Sequence, residues 1–291
     1  MKRHHFTGTS DLLRFILRRD RIRLCIWLVS ITFCVVLFAI SFVETLPTEA
    51  DRMARAEFIQ VPANVALTRP GHGIDNYTYG AMIANELGFL TAVAIALMNI
   101  FLIARHTRAE EESGRSELIR AAVVGRYAPL TAALLVSLGA NLVLGLAIAT
   151  GLLASMELSA TGCIAFGGWL AALGIVFATI TAAIVQLTQH TRAAKGFSGL
   201  VLGVAFALRA WGDIGDGTAS WFSPFGWGQA TKPFVDERWW PLLISLGFAA
   251  LLTLAAYFLC SRVPGGTLTL EYSDSCLVVN RPHRFCPDLW G

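Results

Sequence analysis

The charged residues best suited to a chemical role lie together in one segment, residues 105–118 (RHTRAEEESGRSEL). Acidic residues precede basic ones there, and Glu111 and Arg115 form an i,i+4 pair in the order that stabilises a helix. Helix-compatible sequence continues to Val124, where Gly125 interrupts it. Such a charged helix is what a membrane domain needs to receive force from a soluble motor, but a solvated connector has the same composition. The residues alone leave both interpretations open.

Sequence patterns of common catalytic sites are missing. The chain has no GxxxxGK[ST] phosphate-binding loop, so it cannot hydrolyse ATP by that route. It also lacks HExxH and the GxSxG nucleophile elbow, which disfavours intramembrane protease and lipase functions. Cys276, His283 and Cys286 match no standard zinc spacing, so we predict no metal site. We therefore expect a protein that is not an enzyme.

The composition indicates that the charged segment connects membrane-spanning helices. The 291 residues are 55% hydrophobic and 15% charged, whereas a soluble domain carries about 25% charged residues. The mean hydropathy is +0.59. These values exclude a disordered chain, a small disulfide scaffold and an ordinary soluble enzyme. Six segments are apolar enough to span a bilayer as helices, at Leu24–Leu46, Leu87–Ala104, Ala128–Ser155, Cys163–Leu187, Phe197–Trp211 and Trp240–Cys260. We predict an all-α membrane protein with six transmembrane helices.

The distribution of basic residues predicts the orientation. Six crossings place both termini on the same side of the membrane. Seventeen of the 23 lysine and arginine residues lie on the side of the termini, and six lie on the opposite side. Because cytoplasmic loops carry the excess of basic residues, we predict that both termini are cytoplasmic.

Residues 9–23 (TSDLLRFILRRDRIR) predict a separate, short amphipathic helix before the first span. Thr9 or Ser10 would cap it, and Asp11 suits the positive end of the helix dipole. Leucine, isoleucine and phenylalanine give it apolar surface, and four arginines give it a basic face. Such a helix would lie in the cytoplasmic interface, attracted by anionic lipid. A solvated signal that only orients the first span is the alternative.

Two outer loops carry further predicted structure. A helix from Pro47 to Gln60 would be capped by Thr48, with Asp51 in its first turn. Before the sixth span, residues 211–240 contain five of the eight tryptophans. An aromatic belt at the headgroup boundary accounts for these rings, and an aromatic mouth for hydrophobic substrates is the alternative.

Few polar residues lie within the predicted spans, and the amides among them are Asn99, Asn141 and Gln186. In hydrocarbon such groups need partners, so they face other helices or an aqueous path. Two interpretations follow: hydrogen bonding between helices, or contact with substrate along a translocation path.

Three stretches resemble bacterial ABC exporter permeases of the multidrug, or polyketide-antibiotic, group. They are RHTRAEEESGRSELIRAAVVGR at 105–126, SWFSPFGWGQATKPFVDERWWPLL at 220–243, and RAAKG at 192–196 leading to AFALRAWGD at 205–213. The resemblance covers residues 10–262 and implies a permease subunit that exports hydrophobic compounds across the bacterial cell membrane. It also implies a separate ABC subunit that binds ATP and Mg²⁺, with no cofactor in this chain and no nucleic-acid partner. The coupling residues carried over are Glu110, Glu111, Glu112, Gly114, Arg115, Glu117 and Leu118.

The chain departs from this family in its length. Members are usually about twice as long and contain two six-span halves, and this chain resembles the first half. The resemblance therefore implies a second six-span unit, either another copy or a different chain. We expect a cytoplasmic N-terminus at 1–23, a permease domain at 24–262 and a divergent cytoplasmic tail at 263–291. A non-transport membrane protein, such as an anchor, an immunity factor or a truncated permease relic, is the alternative function.

Overall fold

The computed structural model describes residues 6–68, 71–109, 125–188 and 190–262. Throughout these ranges the chain is all-α and forms no β-strand. The α-helices are α1 (Thr9–Thr45), α2 (Glu49–Ile59), α3 (Pro62–Leu67), α4 (Tyr79–Met82), α5 (Gly88–Ala104), α6 (Ala128–Ser155), α7 (Ala160–Leu187), α8 (Thr191–Ile214), α9 (Pro224–Gln229) and α10 (Trp240–Arg262). Two π-helical turns, Ile83–Leu87 and Arg105–Ala109, flank α5, and 3-10 turns cover Ile74–Asn76 and Ala219–Phe222.

In the part of the chain that the structure describes, six helical stretches are long and apolar enough to cross a membrane, which confirms the predicted architecture. They are Thr9–Thr45, Tyr79–Thr107, Ala128–Ser155, Ala160–Leu187, Thr191–Ile214 and Trp240–Arg262. The third span has the predicted bounds. Most of the other spans are longer than predicted, because their helices continue into polar residues that a search for apolar segments leaves out. The protein is therefore a multi-pass membrane protein.

The prediction of a separate helix at 9–23 was wrong. Helix α1 runs without a break from Thr9 to Thr45, because that stretch contains neither glycine nor proline. The same side of the helix stays buried through both its basic and its apolar part, from Ile16 through Asp20 and Leu24 to Ala39. The cap also differs: Gly8, in the left-handed conformation, precedes the helix, and no side chain caps it. The basic segment is therefore an extension of the first span.

Helix α7 forms the centre of the bundle. It is the most buried span and packs against α5, α6 and α10, while α1 packs on α6. The closest approach between α6 and α7 occurs at Gly145 and Gly167, where a Cβ on either glycine would overlap the carbonyl oxygen of the other. Small residues let the two backbones approach, which is how helices pack tightly in a membrane.

The helix predicted between the first and second spans is confirmed as α2. The Thr48 hydroxyl accepts a hydrogen bond from the Asp51 amide, and the Asp51 carboxylate accepts one from the Thr48 amide, which forms a capping box. The Thr48 hydroxyl also donates to the Asp51 carboxylate at 2.6 Å. This hydrogen bond, followed by the one from the Thr48 amide, holds the pKa of Asp51 below its ordinary value. Helix α2 then buries Ala56 and Ile59 against Tyr77 and Met82.

Candidate functional site

Asn99 and Asn141 meet in the membrane core between α5 and α6. The Asn99 Nδ2 donates to Asn141 Oδ1 at 3.0 Å, and Asn141 Nδ2 donates to Asn99 Oδ1 at 2.8 Å. The Ser137 hydroxyl donates to Asn99 Oδ1 at 2.6 Å. Both amides are fully buried, and each also donates to a carbonyl one turn earlier on its own helix. The amides therefore satisfy one another, as expected of hydrogen bonding between helices.

The structure does not bring all three predicted path residues together. Gly174 of α7 contacts Asn141 so closely that a Cβ there would overlap the amide oxygen. Gln186 lies on the same helix but about 18 Å further along its axis, at 1.5 Å per residue, and is half-buried. The Asn99 and Asn141 pair therefore joins three spans, and Gln186 lies apart from it.

The charged segment at 105–118 begins beside α1. The Asp20 carboxylate Oδ2 lies 3.2 Å from Arg105 Nε and 2.7 Å from His106 Nε2. The Asp20 and His106 side chains are almost completely buried. The second span continues through a π-helical turn, Arg105–Ala109, which places both basic side chains near α1. The start of this segment is thus tied to the basic half of the first helix.

The end of the loop between the second and third spans, at Gly125, is tied to the N-terminus as well. The Gly125 amide donates to the Thr7 carbonyl at 2.9 Å. The ring of Tyr127 contacts Phe6, with centroids 5.7 Å apart, and Tyr257 of α10, with centroids 5.6 Å apart. Phe6, Thr7 and Asp20 therefore contact both ends of the loop between the second and third spans. The predicted coupling residues lie outside the described residues: Glu110, Glu111, Glu112, Gly114, Arg115, Glu117 and Leu118.

A buried arginine organises the opposite end of the bundle. Arg209 of α8 is fully buried, and its guanidinium lies over the Phe89 ring at 4.2 Å and near the Phe206 ring at 5.2 Å. Its Nη1 donates to the Thr68 carbonyl at 2.7 Å and lies 3.4 Å from the Asp213 carboxylate. Aromatic faces and a carboxylate compensate this cation for its loss of water. Arg209 thereby joins α8 to the loop between the first and second spans.

The start of the second span is also fixed to that loop. The π-helical turn Ile83–Leu87 contains Glu86, whose carboxylate accepts a 2.7 Å hydrogen bond from Arg55 of α2. The Tyr77 hydroxyl donates to the same carboxylate at 3.2 Å. The hydrogen bonds to Glu86 raise the pKa of Arg55, and burial, followed by the charge of Glu86, raises the pKa of Tyr77. Helix α2 and the second span are therefore linked by charge.

The outer tryptophans lie largely at the surface. Trp221 stacks on Trp240 with ring centroids 5.5 Å apart, and Trp227 contacts Phe248 edge-on. Trp221 and Trp240 are each roughly half exposed, and Trp211 is 76% exposed. Rings that keep one side exposed at the end of a span suit the aromatic belt better than an enclosed substrate mouth.

Sequence reasoning missed the ion pairs that position these elements. No sequence pattern assigned a partner to Asp20 or to Arg209. One signal was present for Asp20: it is a lone acid among Arg18, Arg19, Arg21 and Arg23, on the side of the helix that carries Ile16 and Leu24.

Comparison with known proteins identifies the family. Residues 10–259 match the family model described as "Multidrug efflux system permease Rv1217c, C-terminal domain". The description names a C-terminal domain, whereas the resemblance led us to expect the first six-span half of a permease. The chain is 47% identical over 270 residues to the multidrug efflux system permease protein Rv1217c of Mycobacterium tuberculosis (strain ATCC 25618 / H37Rv), a match that covers 91% of this chain and 48% of that protein. The chain thus spans about half the length of this curated relative. It belongs to the family of multidrug efflux permeases.

Proposed function

We propose that the chain is the membrane subunit of an ATP-driven exporter of hydrophobic compounds. A separate ABC subunit supplies ATP hydrolysis and holds ATP and Mg²⁺, while this chain supplies six spans of the transport path. The observation that carries the proposal is the attachment of both ends of loop 105–126 to the N-terminal segment. A loop fixed in this way transmits a push from a soluble partner directly into the membrane helices.

The contacts define the route of that force. Asp20 links the start of the loop to α1 through Arg105 and His106. Thr7 links its end to the residues just before α1, and Tyr127 contacts Tyr257 of α10. A displacement of the loop therefore moves the cytoplasmic ends of α1 and α10 together with α5 and α6. Interfaces of packed helices respond to such a displacement by rigid-body movement rather than by local deformation.

A second six-span unit completes the path in this proposal. The chain spans about half the length of the curated relative, and transporters commonly bind substrate between two repeats near the middle of the bilayer. Helices α1 and α8 are the least enclosed neighbours of α5, with exposed Phe33 and Leu37 on α1 and exposed Leu200 and Val204 on α8. A second copy or the other half of a longer transporter would meet such faces, and the lipid bilayer surrounds the remainder.

Charge reversal in the loop tests the coupling. We would co-purify the chain with its candidate ATP-binding subunit and replace Glu110, Glu111 and Glu112 by lysine. We expect loss of association and of stimulated ATP hydrolysis, because docking depends on those carboxylates. The matched control reverses Glu49 and Glu57, which are exposed acids on outer helix α2. Unchanged association and ATPase stimulation in the loop variant would show the coupling assignment to be wrong.

Transport itself distinguishes the alternative function. Inside-out vesicles that contain the chain and its ATP-binding subunit should accumulate a hydrophobic dye when ATP is added. A chain that associates with the ATPase but moves no dye, alone or with a second six-span unit, would favour a truncated permease relic. A chain that binds no ATPase would favour an anchor or immunity factor.

A further inference from the structure

A cavity of about 310 Å³ opens beside the basic half of α1. Its walls come from α1, from the end of the second span and from the start of α8. The charged residues that line it are Asp20, Arg23, Arg105 and Lys195. The volume is at the lower end of the range for small-molecule pockets, which suits a compact polar group rather than a whole drug-sized ligand.

The cavity carries an excess of positive charge. Three cations line it against one carboxylate, and that carboxylate is already engaged by Arg105 at 3.2 Å and by His106 at 2.7 Å. Among the described residues, neither Arg23 nor Lys195 forms an ion pair with a carboxylate. Lys195 and Arg105 are half-buried, and Arg23 is exposed. The partly buried positive charge of this cavity therefore favours a bound anion.

The remaining wall is apolar and includes Leu24, Trp27, Met98, Phe101 and Leu102. Leu24 and Leu102 are buried, while Phe101 is 44% exposed at the cavity mouth. The Lys195 Nζ lies 5.8 Å from the centre of the Phe101 ring. Positive charge at one end and apolar surface at the other match an amphiphile rather than a free ion.

The depth of the cavity agrees with that match. Residues 24–45 of α1 are about 33 Å long at 1.5 Å per residue, which is enough to cross a hydrocarbon core of about 30 Å. Asp20 and Arg23 therefore lie just beyond the hydrocarbon, on the side of the termini. Lipid phosphates occupy this level of the bilayer.

We propose that this cavity binds the phosphate headgroup of an anionic phospholipid from the leaflet on the side of the termini. Arg23 and Lys195 contact the phosphate, and Asp20 positions Arg105 beside it. The first part of an acyl chain lies along Trp27 and Phe101. This inference goes beyond the proposed function, because lipid binding by the chain is measured without its ATP-binding partner and without transport.

Native mass spectrometry of the purified full chain tests the site. The chain is equilibrated in micelles with phosphatidylglycerol or phosphatidylcholine, and retained lipid is counted. We expect R23Q/K195Q to weaken phosphatidylglycerol retention by about thirtyfold, or about fivefold per cation. The control R21Q/R192Q removes the same charge from exposed positions on the same two helices and should retain the lipid.

The outcomes separate the possible ligands. Equal losses in the cavity variant and the control would overturn the proposal, since charge alone would then explain retention. Displacement of phosphatidylglycerol by millimolar inorganic phosphate would overturn the lipid assignment in favour of a free anion. Phosphatidylglycerol brominated on its acyl chains should quench the tryptophan fluorescence of the parent chain more than that of W27F, in which only the other seven tryptophans remain; equal quenching of the two would overturn the placement of the acyl chain along Trp27. If R23Q/K195Q fails to purify as a single species, R23Q and K195Q are measured singly, and a loss no greater than in R21Q would overturn the proposal.

Discussion

The Asp20 carboxylate lies 2.7 Å from His106 Nε2, and both side chains are almost completely buried. This contact joins the basic half of α1 to the first turn after the second span. Separating a buried carboxylate from its basic partner costs free energy, because the charge then stays buried without compensation. The pair therefore fixes the position of α1 relative to the end of the second span. It therefore fixes where the loop between the second and third spans begins.

Replacing Asp20 by asparagine should uncouple that loop from α1. Asparagine keeps the shape but removes the charge that holds Arg105 and His106. We expect the ATP-binding subunit still to associate, while stimulation of its ATPase activity falls at least several-fold. The control D11N alters an exposed acid on the same helix and should behave as the parent chain. Full stimulation in D20N would exclude Asp20 from force transmission.

The Asn99 and Asn141 pair predicts a specific pattern of stabilities. N141L removes the amide partner of Asn99, which keeps its hydrogen bonds with the Ser137 hydroxyl and the Ile95 carbonyl, and should lower the unfolding free energy by about 1–2 kcal/mol. N99L/N141L removes both amides and should recover part of that loss, because neither buried amide is then left with a missing amide partner. Reversible unfolding in mixed micelles measures the double-mutant cycle.

Transport by the same variants distinguishes the two roles of the pair. If the amides only join helices, N99L/N141L should export the same set of dyes as the parent. A changed set of exported dyes with unchanged stability would place these amides on the translocation path instead.

Local features were predictable from the sequence, and contacts between distant segments were not. The capping box at Thr48 and Asp51 depends on residues three apart, and the spans depend on continuous apolar runs. The partner of Asn99 lies 42 residues away, and the carbonyl that Arg209 binds lies 141 residues away. The apolar surroundings of Asn99 and Arg209 in the sequence show that these polar groups need partners, but they do not identify the partners.

The error at 9–23 has a physical reason. Charge changes abruptly at Leu24, so the composition suggests a boundary there. A helix ends where its backbone hydrogen bonds end, and nothing in residues 9–45 interrupts them. The buried side of α1 continues across the change in charge, because Ile16 and Asp20 pack on the bundle as Leu24 does.

The capping box of α2 should weaken in acid. The pKa of Asp51 is lowered in the folded chain because Thr48 donates hydrogen bonds to its carboxylate. The ionised form is therefore the stabilising one: its contribution is present above the ordinary pKa of 3.8 and is lost as the pH falls through the lowered value. We expect amide exchange in the first turn of α2, corrected for intrinsic rates, to accelerate below that pH. T48V, which lacks the hydroxyl, should show a weaker pH dependence, and an identical profile would contradict this assignment.

Arg209 should tolerate replacement only together with Asp213. R209M removes the cation between Phe89 and Phe206 and leaves the Asp213 carboxylate buried, where Ser220 and Gln229 still donate to it. Loss of one member of a buried pair costs about 3–5 kcal/mol, whereas loss of both charges costs much less. R209K should resemble R209M, because an ammonium group lacks the planar geometry that stacks between two rings. Limited proteolysis of residues 61–75, with protease supplied to both faces of membranes that contain the chain, reports the result: rapid cleavage in R209M and R209K, and slow cleavage in R209M/D213N. Equal cleavage in all three would show that Arg209 does not hold the loop between the first and second spans against α8.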